Sequence, residues 1–340
     1  MPSFKIKIDA KGFEYQQNEE DTLLRSALRA GLGFPYECNS GGCGCCKFEL
    51  LDGEVEDLWP DAPGLSPRDI RKGRKLACQC RATSDCTIKV NFDQHSVPQS
   101  TPRRVTVSFV ESIKLTDDMA EFVFKSSLPA CFIPGQFALL SLPRVKGDRA
   151  YSMSNLPNED GTWCFIIKKM PDGRGSNFIF ECLKVGDTIE LDGPYGLAFL
   201  KAEIPREIVC IGGGSGLSPM ISIARAVATD PRINEHKLHL FYGGRGPKDI
   251  CTPAILAEFG DVKHRLISYN AVSDPDLADK EGWDGAVGFI HELVEKELSE
   301  NLSAYEFYFC GPPPMTHAIQ KMLMIKHKVP FNQLHFDRFF

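Results

Sequence analysis

Residues 38–46 read Cys38-Asn39-Ser40-Gly41-Gly42-Cys43-Gly44-Cys45-Cys46, which places three cysteines at the spacing C-x4-C-x2-C. Further cysteines follow in a distant segment of the chain. Three thiolates from one tight loop and a fourth from elsewhere form the ligand pattern of a plant-type 2Fe–2S cluster. The loop glycines permit positive φ, so backbone N–H groups can turn inward toward the sulfurs. The sequence therefore predicts an iron–sulfur site with Cys38, Cys43 and Cys46 as its loop ligands.

Two other cysteines compete for places in this site. Cys45 lies inside the loop but breaks its spacing, so we interpret it as a spare thiol. Cys80 follows Cys78 by two residues, and on a strand both side chains would face the same side. Structural zinc is the weaker interpretation, because zinc sites usually show paired C-x2-C knuckles. The fourth ligand therefore comes from Cys78 or Cys80.

The chain divides into three blocks at changes of pattern. Residues 1–93 hold seven of the thirteen cysteines, and residues 94–103 form a polar linker with two prolines. Residues 104–201 contain alternating strand candidates between Gly, Pro and Asp turns, which predict an antiparallel barrel interrupted by one helix. Residues 202–340 alternate apolar strands with helices and predict a parallel sheet with covered faces. The predicted fold class is multidomain, combining α+β and α/β parts.

Two segments of the second block predict a flavin site. Arg149-Ala150-Tyr151-Ser152 follows a strand candidate, and Gly173-Arg174-Gly175-Ser176-Asn177 opens the helix. A flavin needs a cation for its phosphate, an aromatic face for its ring and a hydrogen bond near N5. On an extended segment, the arginine and tyrosine point one way and the serine the other. A glycine-rich helix N-terminus adds a phosphate cradle, and Ser176 can at the same time be an ordinary N-cap.

A second glycine-rich loop opens a helix of the third block. It reads Ile211-Gly212-Gly213-Gly214-Ser215-Gly216-Leu217-Ser218-Pro219 and follows an apolar strand, the place where dinucleotides bind. The match is imperfect, because Leu217 replaces the third glycine of the dinucleotide fingerprint. Cys310-Gly311-Pro312-Pro313 ends a later strand and should lie at the same sheet edge. Its thiol either contacts the nicotinamide ring or is one more buried apolar side chain.

Composition excludes several classes of protein. The net charge of −6 argues against nucleic-acid binding, which needs a basic face. The sequence contains no run of about 18 apolar residues, so we predict no membrane span. The first ten residues alternate polar and apolar positions and lack the apolar core of a signal peptide. We expect a cytoplasmic protein whose cysteines are metal ligands or buried thiols rather than disulfides.

These motifs, in this order and over essentially the whole chain, resemble the ferredoxin–NADP reductase superfamily with an N-terminal plant-type ferredoxin domain. Residues 34–44, 58–65 and 336–340 are similar to the NADH reductase component of bacterial toluene/o-xylene-type diiron monooxygenases. The resemblance implies a β-grasp ferredoxin domain, an antiparallel FAD barrel and a doubly wound NAD domain. It also favours Cys78 as the fourth cluster ligand, on the form of Leu76-Ala77-Cys78-Gln79. Cys45 is a departure, since relatives commonly carry alanine there.

The resemblance also implies which residues form the sites. Ser152, Cys310 and Phe340 are expected around the reacting atoms. The FAD and nucleotide sites are expected to include Arg149, Ala150, Tyr151, Ser152, Ile167, Gly175, Ser176, Gly213, Gly214, Ser215, Gly216, Pro219, Gly311, Pro312, Phe339 and Phe340.

Electron counting orders the cofactors. NADH gives two electrons as a hydride, a 2Fe–2S cluster accepts one, and a flavin can accept a pair and release it singly, so it must stand between them. The expected acceptor is a Rieske-type ferredoxin or a diiron hydroxylase, and the expected state is a monomer. Alternatives are the reductase of a Rieske dioxygenase or phenol hydroxylase and, in another class, a redox sensor or structural metal protein without turnover.

Two points stay open on the sequence. Arg245 can favour a 2′-phosphate and hence NADPH, whereas Asp249 would repel it, and the resemblance favours NADH. The chain ends Phe336-Asp337-Arg338-Phe339-Phe340, and exposed terminal phenylalanines would be unusual unless something covers them. We hypothesise that one of them stacks on the flavin ring, with packing on the third domain's sheet as the alternative.

Overall fold

The computed structural model describes residues 3–9, 12–233, 236–298 and 301–337. Its N-terminal part is a mixed sheet that carries a short helix and the cysteine loop. The sheet has the order β2-β1-β7-β3-β5, with β1 and β7 parallel and the other neighbours antiparallel. The elements are Ser3–Ile8 (β1), Glu14–Asn18 (β2), Leu23–Arg29 (α1), Lys47–Asp52 (β3), Val55–Asp57 (β4), Pro67–Arg71 (α2), Arg74–Leu76 (β5), Cys80–Ala82 (β6) and Cys86–Lys89 (β7).

The central part is an antiparallel sheet that nearly closes into a barrel, as the alternating pattern predicts. Its order is β11-β10-β13-β8-β9-β12, and the edge strands β11 and β12 approach each other through a bridge between Met153 and Phe165. The first barrel strand begins at Arg103, the last residue of the predicted linker. The elements are Arg103–Lys114 (β8), Met119–Lys125 (β9), Phe137–Ser141 (β10), Arg149–Ser152 (β11), Thr162–Lys168 (β12), Arg174–Glu181 (α3) and Thr188–Tyr195 (β13).

The C-terminal part is a parallel sheet of order β17-β16-β15-β14-β18-β19. Successive residues of its buried strands enter opposite cores, with Ile208 and Cys210 in one and Val209 and Ile211 in the other. Both faces are therefore covered, as the apolar strands predict. The elements are Glu207–Gly213 (β14), Leu217–Thr229 (α4), Leu238–Gly244 (β15), Thr252–Leu256 (α5), Leu266–Val272 (β16), Pro275–Lys280 (α6), Ala286–Val287 (β17), Ile290–Glu297 (α7), Tyr305–Cys310 (β18), Pro313–Gln320 (α8) and Leu334–Phe336 (β19).

The barrel is the central body of the molecule. Its residues Phe137, Leu139 and Tyr195 belong to the same core as the N-terminal sheet, whereas Met119 and Ile166 join a core of the parallel sheet. Both outer parts therefore pack on the barrel. The predicted multidomain fold class is confirmed. None of the helices in the described ranges combines the length and apolar character needed to cross a bilayer.

Candidate functional site: a thiol cluster and a cleft on opposite sides of one strand

The cysteine loop between α1 and β3 brings thiols together in two pairs. Cys38 Sγ lies 3.3 Å from Cys43 Sγ, and the Cys46 and Cys78 side chains are within hydrogen-bonding contact. A disulfide would need about 2.05 Å between sulfurs, so these are free thiols. Two pairs of thiols are the donor set of a 2Fe–2S cluster, in which each iron takes two protein sulfurs. The residues present therefore fit the predicted cluster.

Backbone geometry prepares this loop for anionic sulfur. Asn39, Gly41 and Gly44 have φ values of 50°, 91° and 76°, in the left-handed region where asparagine and glycine are least strained. The N–H groups of Ser40 and Cys43 consequently point inward, and both donate to Cys38 Sγ at 3.4 Å. The inward amides agree with the sequence-based prediction for the glycine loop.

The two competing cysteines occupy different surroundings. Cys78 lies in a one-turn 3-10 helix, Ala77–Gln79, so strand alternation does not continue from it to Cys80. Cys80 is buried at the start of β6 with Asp57 and Lys75 as charged neighbours. Cys45 is half-buried, and its thiol donates to Glu37 Oε1 at 3.2 Å. The contact with Cys46 belongs to Cys78.

A cleft of about 540 Å³ opens on the barrel beside the parallel sheet. It brings together both predicted flavin segments and one residue of the glycine loop. Its walls include cations, an aromatic ring and a helix N-terminus. The lining residues are Arg149, Tyr151, Lys168, Met170, Asp172, Gly173, Arg174, Gly175, Ser176 and Ser215.

The N-terminus of α3 approaches β11 closely because position 175 is glycine. A Cβ there would lie 2.9 Å from Arg149 Cγ and 3.3 Å from the Tyr151 hydroxyl. The N-cap of this helix is Gly173 rather than Ser176. Instead, Ser176 Oγ accepts from the Met170 N–H at 3.0 Å and donates to the Gly173 carbonyl at 3.1 Å. The helix therefore directs free N–H groups and its positive end toward the cleft.

Strand β11 separates the cleft from the N-terminal part of the molecule. Arg149 and Tyr151 line the cleft, whereas Ala150, on the opposite face, packs against the core that the N-terminal sheet shares with the barrel. Ser152 is buried, and its carbonyl accepts from Ser218 Oγ at 2.7 Å. The Ile167 side chain lies in the barrel core, away from the cleft lining. Arg149 and Tyr151 therefore share one face of β11 and Ala150 lies on the other, as strand alternation predicts.

The glycine loop and the Cys310 segment meet at the carboxyl edge of the parallel sheet. A Cβ on Gly216 would lie 2.1 Å from the Cys310 carbonyl oxygen, and one on Gly213 would lie 3.3 Å from Pro312 Cδ. Gly311 also lies close to the Gly213 backbone. Burial raises the pKa of the Cys310 thiol to about 12, so it is neutral at physiological pH. Pro219 is buried in the first turn of α4.

The chain end returns toward the cluster loop. Asp337 is buried, and a Cβ on Gly196 would lie 2.9 Å from its Oδ2. Burial raises the pKa of this carboxyl well above its usual range. Phe336 stacks on Phe309 with ring centroids 4.8 Å apart. The predicted ring-stacking residues, Phe339 and Phe340, lie outside the described residues.

Sequence reasoning missed Lys168, which ends β12 and crosses the cleft. Its Nζ lies 3.0 Å from Asp118 Oδ2 and 3.4 Å from Asp249 Oδ1, so it joins the barrel to the parallel sheet. Burial alone lowers the pKa of Lys168, but Asp118 and Asp249 raise it above its ordinary value. The cleft therefore keeps a positive charge at the border between the two domains.

A second cation of the cleft was also overlooked. Arg174, between the cradle glycines Gly173 and Gly175, lines the same cleft as Lys168. The signal in the sequence is weak, because a lysine or arginine near the end of a strand or helix is most often a solvated surface residue. Lys168 and Arg174 line the same cleft as a result of how β12 and α3 pack together.

Comparisons with known proteins agree with this geometry. Three family models match successive parts of the chain: the 2Fe-2S iron-sulfur cluster binding domain at residues 6–83, the oxidoreductase FAD-binding domain at 106–199 and the oxidoreductase NAD-binding domain at 210–321. The cofactors predicted from the motifs, a 2Fe–2S cluster, FAD and NAD, are thereby confirmed. The three parts together define an oxidoreductase that couples a nicotinamide nucleotide to an iron–sulfur centre through a flavin.

Full-length relatives show the family. The ferredoxin–NAD(P)(+) reductase CarAd of Metapseudomonas resinovorans is 46% identical, over 94% of each chain. The ferredoxin–NAD(+) reductase component of the alkene monooxygenase system of Xanthobacter autotrophicus is 36% identical, over 96% of this chain and 98% of that one. The ferredoxin reductase in carbazole 1,9a-dioxygenase has a solved structure with a TM-score of 0.90 and 41% identity, covering 100% of this chain and 99% of that one. The chain belongs to the family of ferredoxin–NAD(P)+ reductases that carry their own 2Fe–2S domain.

Proposed function

We propose that this reductase takes a hydride from NADH and passes single electrons to a ferredoxin that serves an aromatic-hydrocarbon oxygenase. The observation that carries the proposal is the position of β11 between the two centres. Arg149 and Tyr151 line the cleft on one face of this strand, and on the other Ala150 packs against the core that the ferredoxin part shares with the barrel. A flavin in the cleft is therefore one strand away from the domain that holds the cluster thiols.

The cleft residues divide the work of holding the flavin. Bound there, FAD supplies the exchange between a two-electron donor and a one-electron acceptor. We assign its diphosphate to the α3 N-terminus, where Gly175 permits close approach and Ser176 orders the turn. Arg149 adds a positive charge, and its guanidinium is oriented by three carbonyls of the preceding turn. Tyr151 offers its ring to the isoalloxazine.

The nucleotide enters from the parallel sheet. We assign its diphosphate to the loop Gly213–Gly216, whose Ser215 reaches the cleft, and its nicotinamide to the side of Cys310 and Gly311. Lys168 spans the same gap and can exchange its contact with Asp249 for a phosphate oxygen. The neutral Cys310 thiol borders the ring without acting as a nucleophile.

Charge near the nucleotide ribose favours NADH over NADPH. The Arg245 guanidinium lies 3.6 Å from Asp274, which offsets its charge, and the N–H groups of Arg245 and Gly246 donate to the Asp249 carboxylate. A 2′-phosphate would therefore meet two carboxylates. We expect kcat/KM for NADH to exceed that for NADPH at least about tenfold, a difference of about 1.4 kcal/mol. Equal values would overturn this preference, and Asp274→Asn should narrow the ratio by freeing Arg245.

The acceptor follows from the relatives. CarAd and the alkene monooxygenase component are both named as ferredoxin reductases, and the similar solved structure is that of a dioxygenase system. The similarity to a reductase from a dioxygenase system favours a Rieske ring-hydroxylating dioxygenase as the second candidate system. The first candidate is a toluene-type diiron monooxygenase. The xylene/toluene monooxygenase electron transfer component XylA of Pseudomonas putida is 31% identical. Reconstitution with Rieske-type ferredoxins of the two systems separates the candidates.

We further propose that the reductase is a monomer in the cytoplasm. None of its thirteen cysteines, which all lie in the described ranges, forms a disulfide, and the cytoplasm keeps thiols reduced. Size-exclusion chromatography with light scattering measures the oligomeric state, and a dimer mass would contradict the first part of this proposal.

A visible spectrum tests the proposed function. Purified protein should show flavin and iron–sulfur absorbance, both bleached by NADH under anaerobic conditions. Turnover with NADH and a one-electron acceptor would exclude a redox sensor or structural metal protein. Colourless protein without iron or flavin would overturn the proposed function.

A matched pair of variants tests the fourth ligand. Cys78→Ser should lose the cluster absorbance and most of the iron, while Cys80→Ser keeps both, because Cys78 rather than Cys80 contacts Cys46. Retention of iron in the first variant and its loss in the second would assign the ligand to Cys80.

A further inference from the structure

The barrel has a seam between its edge strands. Near Met153 and Phe165 the strands pair directly, and the Ser154 N–H donates to the Cys164 carbonyl at 2.8 Å. One step along the seam, a side chain from the parallel-sheet domain stands between the two strands.

That side chain is Ser218, in the first turn of α4. Its Oγ accepts from the Ile166 N–H at 3.0 Å and donates to the Ser152 carbonyl at 2.7 Å. The hydroxyl therefore replaces one rung of the ladder between β11 and β12. Ser218 is 1% exposed, so bulk water does not compete for these bonds. It also follows closely on the loop Gly213–Gly216 along the chain.

The neighbouring turns of α4 supply a natural comparison. Ser222 Oγ donates to the Asn155 carbonyl at 2.7 Å, and Arg225 donates to the Ser154 carbonyl at 2.8 Å. These contacts hold the same helix to the barrel, beyond the flavin segment. Of these three side chains, Ser218 is the one that bonds both edge strands and reaches a residue of that segment.

We propose that Ser218 is a positioning residue for hydride transfer, which holds the flavin segment at a set distance from the nucleotide loop. The inference rests on the proposed function. Without the hydroxyl, the Ser152 carbonyl and the Ile166 N–H lose their partner, and the seam must shift to satisfy them. Hydride transfer needs reacting atoms about 3–3.5 Å apart, and a misplacement of about 1 Å can lower a rate about 100-fold.

Stopped-flow reduction of the flavin by NADH tests this role in the full chain loaded with both cofactors. We expect Ser218→Ala to lower the limiting rate of flavin reduction at least about tenfold, with the apparent Kd for NADH changed less than about twofold. Ser222→Ala removes an equally buried hydroxyl from the same helix and should stay within about twofold of the wild type. Ser218→Thr keeps the hydroxyl and should recover most of the rate.

Three outcomes overturn the proposal. They are a Ser218→Ala rate equal to the wild type, an equal slowing by Ser222→Ala, and no recovery in Ser218→Thr. If Ser218→Ala fails to hold flavin, Ser218→Cys decides instead, because its volume is similar and its thiol is a weak hydrogen-bonding group. A wild-type rate in that variant overturns the role. Wild-type protein that NADH does not reduce would refute the proposed function rather than this inference.

Discussion

The barrel meets its two neighbours through different chemistry. Toward the ferredoxin part the contacts are buried ion pairs, including Arg25 with Asp148 at 2.6 Å and Arg29 with Asp192 at 2.8 Å. Toward the parallel sheet the contacts combine hydroxyl-to-carbonyl bonds, such as that from Ser222, with more exposed ion pairs, such as that of Lys168 with Asp249, around an open cleft. We expect the first side to hold the two proposed cofactor sites at a constant separation and the second to let a nucleotide enter and leave.

Physical reasons support this division. Buried charges need well-placed partners in fixed geometry, since a lost partner leaves an uncompensated charge in a poorly solvating environment. Such a network resists displacement, which suits electron transfer between bound centres. Beside the cleft, the ion pair of Lys168 with Asp249 is more exposed, and exposed ion pairs contribute little to stability, which suits a face that a nucleotide enters.

The largest expected effect is at Asp192. Its carboxylate binds Arg29 and lies within 4.0 Å of Arg25 and Arg104. Asp192→Asn should lower the free energy of unfolding by about 3–5 kcal/mol, because three guanidinium groups lose a shared counter-charge. It should slow flavin-to-cluster transfer and leave flavin reduction by NADH unchanged. Urea unfolding and stopped-flow spectroscopy measure both. The exposed Asp117→Asn is the control, and a wild-type unfolding midpoint in Asp192→Asn would remove the contrast between interfaces.

Acid should weaken the ferredoxin interface through the ion pair of Arg25 with Asp148. Burial by itself raises the pKa of Asp148, but Arg25 and Ser141 lower it more, so the net pKa lies below its usual value. The ionised pair therefore stabilises the fold above the unfolded pKa of about 3.9, and this contribution is lost as pH falls through the folded pKa. The stability difference between wild type and Asp148→Asn should be constant from about pH 7 to 5 and shrink below about 4. The corresponding difference for Ser222→Ala should not change with pH.

At the cleft, Lys168→Met should act on binding. Loss of the cation leaves Asp118 and Asp249 to repel the nucleotide. We expect KM for NADH to rise about tenfold, or about 1.4 kcal/mol, with kcat nearly unchanged. Steady-state kinetics with an artificial acceptor measure this. Lys169→Met is the control, since Lys169 pairs with Glu181 instead. A fall in kcat at constant KM would contradict a binding role.

The smallest effect is expected at Ser222, whose hydroxyl bonds one carbonyl. Ser222→Ala should lower the free energy of unfolding by about 1 kcal/mol, as a lost neutral hydrogen bond does. Chemical denaturation measures the free energy of unfolding of Ser222→Ala and of Asp192→Asn under the same conditions. Equal losses in both variants would mean that the two interfaces do not differ in strength.

The sequence by itself determined the cofactors and the order of the domains. The spacing of Cys38, Cys43 and Cys46 and the glycine loops at 173–177 and 211–216 are local patterns, because each works through backbone geometry within a few residues. Strand alternation likewise predicted that Arg149 and Tyr151 share a face. The role of Phe339 and Phe340 stays a prediction.

Only the tertiary structure decided which distant residues meet, both inside the ferredoxin part and across the domain borders. The contact between Cys46 and Cys78, the seam hydroxyl of Ser218 and the bridging position of Lys168 join residues far apart in the chain. No local period encodes such contacts, because they depend on how distant segments of the chain pack against one another. The sequence named the cofactors, and packing decided which side chains surround their sites.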